Sequence, residues 1–352
     1  MTIAAHAAFP NDTMSEVHRQ NLNRLLKDVS RSFYLTLRVL PRSVRAQIGL
    51  AYLLARTTDT IADTQAIAVA DRLTALGRLR SRILGRSNEA LDLSPVIEVR
   101  SASASFAELA LLAQAENMVH VLNTFASADQ TRIRSVLDTI TSGQELDLQR
   151  FAGARTGGQI AALRNDPELD DYTYRVAGCV GEFWTQICRA HLFPKAPLDD
   201  VWLLRNGLRF GQGLQLVNIL RDVPSDLRLG RCYLPLDRLA ECGLRPVDLL
   251  DSANEVRFRK LYENYLDLAS EHLKAGWEYT NALPFRHMRL RLACAWPLLI
   301  GAATLTKLRA SSILEAGTRI KISRREVRRV VVRSVIWYPW PQRWMRLFPL
   351  QT

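Results

Sequence analysis

With 352 residues, 48% of them hydrophobic, the chain has enough material for a sizeable core and is not disordered as a whole. It holds only 17 glycines and 14 prolines, which argues for long uninterrupted helices and against a turn-rich β architecture. The net charge of +12 is uneven, with nine Lys/Arg against two acids in residues 311–352; an anionic partner is therefore expected, while the mildly basic remainder excludes a broad nucleic-acid-binding face.

Residues 1–15 read as a frayed tail. A helical pattern begins at Asn21–Leu26 and leads into Ser30-Arg31-Ser32-Phe33, and Pro41 marks a break. Ser43 is the expected N-cap of a helix reaching about Asp63, with Val44, Ile48, Tyr52 and Leu53 on its apolar side. Residues 68–84 repeat the helical period, 87–95 read as a polar loop, and 106–125 and 131–150 as two further helices. Residues 152–171, with Gly157-Gly158 and Asn165-Asp166-Pro167, are expected to be a loop. Tyr172 and Tyr174 are placed at the start of a helix over 172–191. Its Gly178 and Gly181 would let a neighbouring helix or a substrate chain come close.

A long helix runs from 198 to about Pro224, a turn spans 230–235, another element starts at 246–250, and helices over 256–283 and 288–308 follow. Strand-like alternation is limited to hints at 319–323 and 330–332. The expected fold is all-α: one helical domain over 16–335 followed by a basic aromatic tail over 336–352.

Two acidic stripes stand out. Asn218, Asp222 and Asp226 recur every fourth residue in an apolar helix, so their side chains share one face. Asp59 and Asp63 repeat the spacing far upstream. Adjacent carboxylates repel unless a cation sits between them, and hard oxygen donors suit Mg2+, which also reaches substrate phosphates. One such pair alone is usually a solvated face, and Arg56 beside Asp59 reads equally as an intrahelical ion pair. Two pairs, both in apolar helices and both beside arginines (Arg56, Arg221), favour a diphosphate pocket between facing helices. Pro224 counts against a tidy picture, because it predicts a kink before Asp226. Gly143–Asp147 adds acids that read as structural or supporting.

Five cysteines without a CxxC spacing read as reduced thiols of a cytosolic protein. Six histidines without an HExxH cluster speak against zinc. No signal peptide is expected, and no stretch is read as the roughly 20 apolar residues of a membrane span.

Taken together, these residues resemble the squalene/phytoene synthase family. The matches are Ser30-Arg-Ser-Phe33, Tyr52-Leu-Leu-Ala-Arg56-x-x-Asp59-x-x-x-Asp63, Tyr172-x-x-x-Val176-Ala-Gly178-x-Val-Gly181, Gln215-x-x-Asn218-Ile-x-Arg221-Asp222-x-x-x-Asp226 and Gly230-Arg-x-Tyr233-x-Pro235. They run through most of the chain, and the ordered set is specific where each piece is not. The resemblance implies a single isoprenoid-synthase-type helical domain whose central cavity joins two allylic prenyl diphosphates head to head. It implies Mg2+ on Asp59, Asp63, Asn218, Asp222 and Asp226. Substrate contacts would come from Arg31, Phe33, Tyr52, Arg56, Gln215 and Arg221. Tyr172 would stand near the proton lost in the first half-reaction, with the four aspartates completing the catalytic set.

Two later stretches, Cys294-Ala-x-Pro297 with Thr304-Leu305, and Ile320-Lys321-Ile-Ser-Arg324, resemble the squalene-forming branch. That branch condenses two farnesyl diphosphates to presqualene diphosphate and reduces it with NADPH, whose phosphates Lys321 and Arg324 would hold. Three positions depart from it: Ala62 stands where a further glutamate is common, Ala293 where an aromatic is common, and Ser323 where the flap is basic. The membrane helix that closes eukaryotic members is not found. Phytoene- or dehydrosqualene-type synthesis, or a halt at presqualene diphosphate, are the rival readings of the same chemistry. A non-catalytic membrane- or RNA-binding scaffold is the rival of another class. The tail, with Trp337, Trp340, Arg343, Trp344 and Arg346, either lies on an anionic membrane or packs on the domain. The expected location is cytoplasmic, with peripheral contact at the inner membrane surface.

Overall fold

Apolar residues at helical spacing dominate the chain, and they fold as helices almost throughout. The computed structural model describes residues 16–30, 33–101, 105–153, 160–315 and 320–349. Arg31, Gly157 and Gly158 lie outside the described residues, as does the side chain of Phe33. The only sheet among the described residues pairs β1 (Ala161–Ala162) in parallel with β2 (Arg231–Cys232). The helices gather into two compact units, one of residues 1–149 with Phe183–Lys195 and one of Arg150–Glu182 with 196–352.

The first unit contains α1 (Glu16–Val29), α2 (Phe33–Val39), α3 (Arg42–Ala62), α4 (Val69–Ile83), α5 (Ser94–Arg100), α6 (Phe106–Ala113), α7 (Ala115–Asn123) and α8 (Ser127–Arg150). Its centre is α3, which packs on α1, α2, α4, α6 and α7. Leu50, Leu53, Leu54 and Ile61 on α3 are fully enclosed, each burial stabilising by about 1.5–3 kcal/mol. The helix starts at Arg42, just ahead of the expected Ser43 cap. Buried Arg45 reaches back to accept no proton but give two, to the Leu40 carbonyl (2.6 Å) and the Arg38 carbonyl (3.1 Å), which meets carbonyls at the end of α2. The expected single helix over 106–125 is two, separated at Gln114. Ser105 and Glu108 form a capping box that starts α6.

The second unit contains β1, α9 (Asp166–Thr173), a π-helical turn (Tyr174–Gly178) and the first residues of α10 (Cys179–Leu192), whose remainder belongs to the first unit. It continues with α11 (Asp200–Arg228), β2, α12 (Leu236–Glu241), two 3-10 turns, α13 (Glu255–Ala282), α14 (Met288–Arg309), α15 (Arg324–Trp337) and α16 (Pro341–Met345). Three expectations are corrected here. Asn165 is not a loop residue but the N-cap of α9, accepting from the Glu168 amide at 3.1 Å. Tyr172 and Tyr174 therefore stand at the end of α9 and the start of the π turn, not at a helix start. The β-like Val330–Val332 lies inside α15, where alternation gives way to a Ser323–Glu326 capping box.

α11 is the axis of this unit and packs on α13, α14 and the π turn. The close approach predicted at Gly181 is to a helix: a Cβ there would fall 1.8 Å from the Gly207 carbonyl oxygen. α11 also runs unbroken through Pro224 to Arg228, so Asp226 remains on the helix. Finally, α14 is long and apolar enough to cross a membrane, contrary to the sequence reading, but 72% of that window is buried in the fold.

Candidate active site

In the first unit, the end of α3 carries the upstream acidic pair. Asp59 lies in its last turn and Asp63 is its C-cap, with the Asp63 amide bonded to the Asp59 carbonyl at 2.9 Å. Thr57, Thr60 and Thr64 spend their hydroxyls on carbonyls of their own helix, at 2.8–2.9 Å. Arg56 forms a salt bridge with Asp59 and a longer one (3.4 Å) with Glu108. Glu108 is held in turn by Arg100 at 3.0 Å. Burial, and then the charge of Asp63, push the Asp59 carboxyl up to about 6 even with Arg56 beside it. Yet 41% of its side chain stays accessible, so Asp59 is not sealed in the core. Tyr52, on the same helix, donates to the Val29 carbonyl at 3.3 Å.

In the second unit, the last turns of α11 carry Asn218, Asp222 and Asp226. Asn218 is exposed and donates to the Gln215 side chain at 3.5 Å. Arg221 grips its neighbour Asp222 with two nitrogens, Nε at 2.9 Å. That hydrogen bond, with the charges of Asp222 and Asp226, outweighs burial and raises the guanidinium further. The structure thus brings Arg56, Asp59 and Asp63 together, and separately Gln215, Asn218, Arg221, Asp222 and Asp226.

Tyr172 is buried, and its ring stacks on Tyr233 at 4.7 Å; Phe151 meets Tyr233 edge-on at 5.3 Å. Tyr233 is delivered by a turn at Gly230, whose φ of +79° suits glycine. Two amides from the β1 side clamp that turn, Ala161 to the Gly230 carbonyl (3.0 Å) and Leu163 to the Cys232 carbonyl (3.1 Å). Tyr174 donates to Glu182 at 3.3 Å, and burial, then Glu182, raise its phenol.

Lys321 and Arg324 are both exposed, flanking the Ser323 cap of α15. The tail divides. Tyr338, Trp344 and Phe348 are buried, with Trp344 and Phe348 stacked on Trp277 at 5.3 and 5.4 Å, while Trp340 is 51% exposed.

Sequence reasoning missed Glu108, although the Ser105-x-x-Glu108 box was there to find, and it missed Tyr262, whose hydroxyl donates to the Leu220 carbonyl at 3.0 Å. Among the described residues, no three His, Cys, Asp or Glu side chains gather at one point. Pairs of carboxylates with an amide oxygen instead fit Mg2+, which commonly takes one or two protein carboxylates and completes its shell with water and substrate phosphate.

The squalene/phytoene synthase family model matches residues 26–326. A bifunctional lycopene cyclase/phytoene synthase of Gibberella fujikuroi is 28% identical over 292 residues, 81% of this chain and 47% of that protein. The 15-cis-phytoene synthase of a Synechocystis species is 28% identical over 253 residues, 70% of this chain and 64% of that protein. The chain thus spans about half the length of the bifunctional relative. Among solved structures, TcSQS in complex with a ligand superposes with a TM-score of 0.74 at 20% identity, covering 95% of this chain and 89% of that one. That likeness establishes the all-α fold.

Proposed function

Because the chain belongs to the squalene/phytoene synthase family, we propose that it joins two farnesyl diphosphates head to head and reduces the resulting cyclopropyl diphosphate to squalene with NADPH. The observation that carries the condensation is the matched pair of acidic helix ends, each with an arginine bonded to one of its carboxylates: Arg56 to Asp59 and Arg221 to Asp222. Asp59, Asp63, Asn218, Asp222 and Asp226 would hold magnesium ions, which when bound would supply positive charge to the departing diphosphate.

Arg56 and Arg221 shift from their carboxylates onto diphosphate oxygens, which they bind through bidentate forks. Breaking the C1–O bond of one farnesyl group leaves an allylic cation. The 2,3 double bond of the second group attacks it, and loss of one proton closes the cyclopropane. Tyr172, held against Tyr233, relays that proton: its hydroxyl oxygen accepts it as the hydroxyl's own proton passes to the released diphosphate, which is the base. Arg31 and Phe33 complete the substrate contacts with Tyr52 and Gln215. The reductive half rests on the Ile320–Arg324 resemblance.

Synthesis of a phytoene-type product without reduction is the second reading, favoured by the phytoene synthase names of the sequence relatives. Incubation of purified protein with farnesyl or geranylgeranyl diphosphate, with and without NADPH, separates the two. Squalene made only with farnesyl diphosphate and NADPH supports the proposal; identical products with and without NADPH refute its reductive half. A helical scaffold would release no diphosphate from either substrate.

The product is a hydrocarbon, and its receiving phase is an anionic bilayer touched by α15. Ser334 is the one buried residue of that helix; Arg325, Arg328, Arg329, Val332, Arg333, Val335 and Ile336 are all exposed. With Trp340, this face joins cations to apolar side chains, the composition that suits a headgroup boundary.

A further inference from the structure

Pro224 lies between Asp222 and Asp226 inside α11. Proline has no amide hydrogen, so the carbonyl four residues earlier, that of Leu220, loses its helical partner, and the ring crowds it. Leu220 is fully buried, out of reach of compensating water. Its carbonyl is met from the neighbouring helix: the Tyr262 hydroxyl on α13 donates to it at 3.0 Å. Tyr262 is itself fully enclosed, and burial raises its phenol, which keeps it a donor across the working pH range.

We propose that Tyr262 is a positioning residue for the second acidic face, replacing the bond that Pro224 removes and so fixing the turn that carries Asn218, Asp222 and Asp226. This rests on the reading that those residues hold a metal–diphosphate. Leu220 sits midway between Asn218 and Asp222 in the chain, so a change in its peptide plane alters the relation between them. Without the hydroxyl, the turn has a buried carbonyl with no donor and a ring pressing on it, and the helix relieves both by bending there. A ring that only filled space would depend on its contacts with Phe258 and Arg259, which phenylalanine keeps.

The test compares wild type, Tyr262→Phe and the double variant Tyr262→Phe/Pro224→Ala. Calorimetry reads Mn2+ affinity in the presence of inorganic pyrophosphate, and steady-state assays read the Mg2+ concentration at half-maximal turnover. Tyr262→Phe is expected to weaken Mn2+ binding about three- to tenfold and to raise the Mg2+ requirement in parallel. Pro224→Ala in the same chain restores an amide donor to Leu220 and is expected to return affinity to within about twofold of wild type. The same rescue should appear in thermal midpoint and soluble yield should Tyr262→Phe fold poorly. Wild-type affinity in Tyr262→Phe, or a loss that Pro224→Ala fails to rescue, overturns the inference. A wild-type protein that binds no Mn2+–pyrophosphate removes the reading beneath it instead.

Discussion

On α3 the acidic pair ends the helix, Asp59 in the last turn and Asp63 as the cap, whereas on α11 Asp222 and Asp226 sit in the last turns of a helix that continues past a proline. Asp59, Asp63 and Asp226 occupy the last turn or cap of a helix, the negative end of its dipole, where carboxylates are disfavoured by about 0.3–1 kcal/mol each. Stability alone would place lysine or arginine there. Each of the two helices breaks this local rule and has an arginine bonded to one acid, and that departure supports the proposed cation-binding role of the acids. The faces differ in how they hold the strain: the first through a desolvated aspartate linked to Arg56 and Glu108, the second through Arg221 and a tyrosine-bridged proline turn.

The largest expected effect tests whether both faces are needed. Asp59→Ala and Asp222→Ala should each lower diphosphate release by at least about 10³-fold with unchanged circular dichroism. Turnover surviving in one of them would leave a single working face. Arg56→Lys and Arg221→Lys keep the charge but lose the fork, and each should lower kcat/KM by about 10- to 100-fold in steady-state assays.

Acidity separates the faces further. The Asp59 carboxyl is raised to about 6, so turnover should fall as pH drops through that value and the ligand is protonated. Its raised value also means that the fold binds this proton more tightly than the unfolded chain does. Asp59 therefore favours the fold below the ordinary carboxylate range and loses that contribution as pH rises through about 6. At pH 7.5 an Asp59→Asn variant should accordingly melt at or above the wild-type temperature while being inactive. A clear drop in melting temperature would mean the Arg56 ion pair dominates. The smallest effect concerns α15: Arg329→Gln should weaken binding to anionic vesicles about fivefold, measured by sedimentation, and leave turnover with dispersed substrate unchanged.

The helical fold and both acidic faces were legible because helical spacing and paired carboxylates are local patterns. What escaped was non-local or competed with them. Pro224 foretold a kink, but a hydroxyl 38 residues away fills the missing bond. Asn165-Asp166-Pro167 looked like a loop, yet the same residues are a strong helix start, with a capping side chain and proline in the first turn. Val330–Val332 alternated like a strand, and its place in the helix follows from the Ser323–Glu326 box. Deleting the tail from Trp337 would remove the buried Tyr338, Trp344 and Phe348, so substitutions at exposed Trp340 and Arg329 are the cleaner probes of its surface.

The most direct test is a crystal structure with Mn2+ and an unreactive farnesyl thiodiphosphate, with anomalous scattering locating the metals. The account predicts manganese bonded to Asp59 and Asp63 and manganese bonded to Asn218, Asp222 and Asp226, joined through diphosphate oxygens. Metal found on only one face, or diphosphate bound away from both, would contradict it.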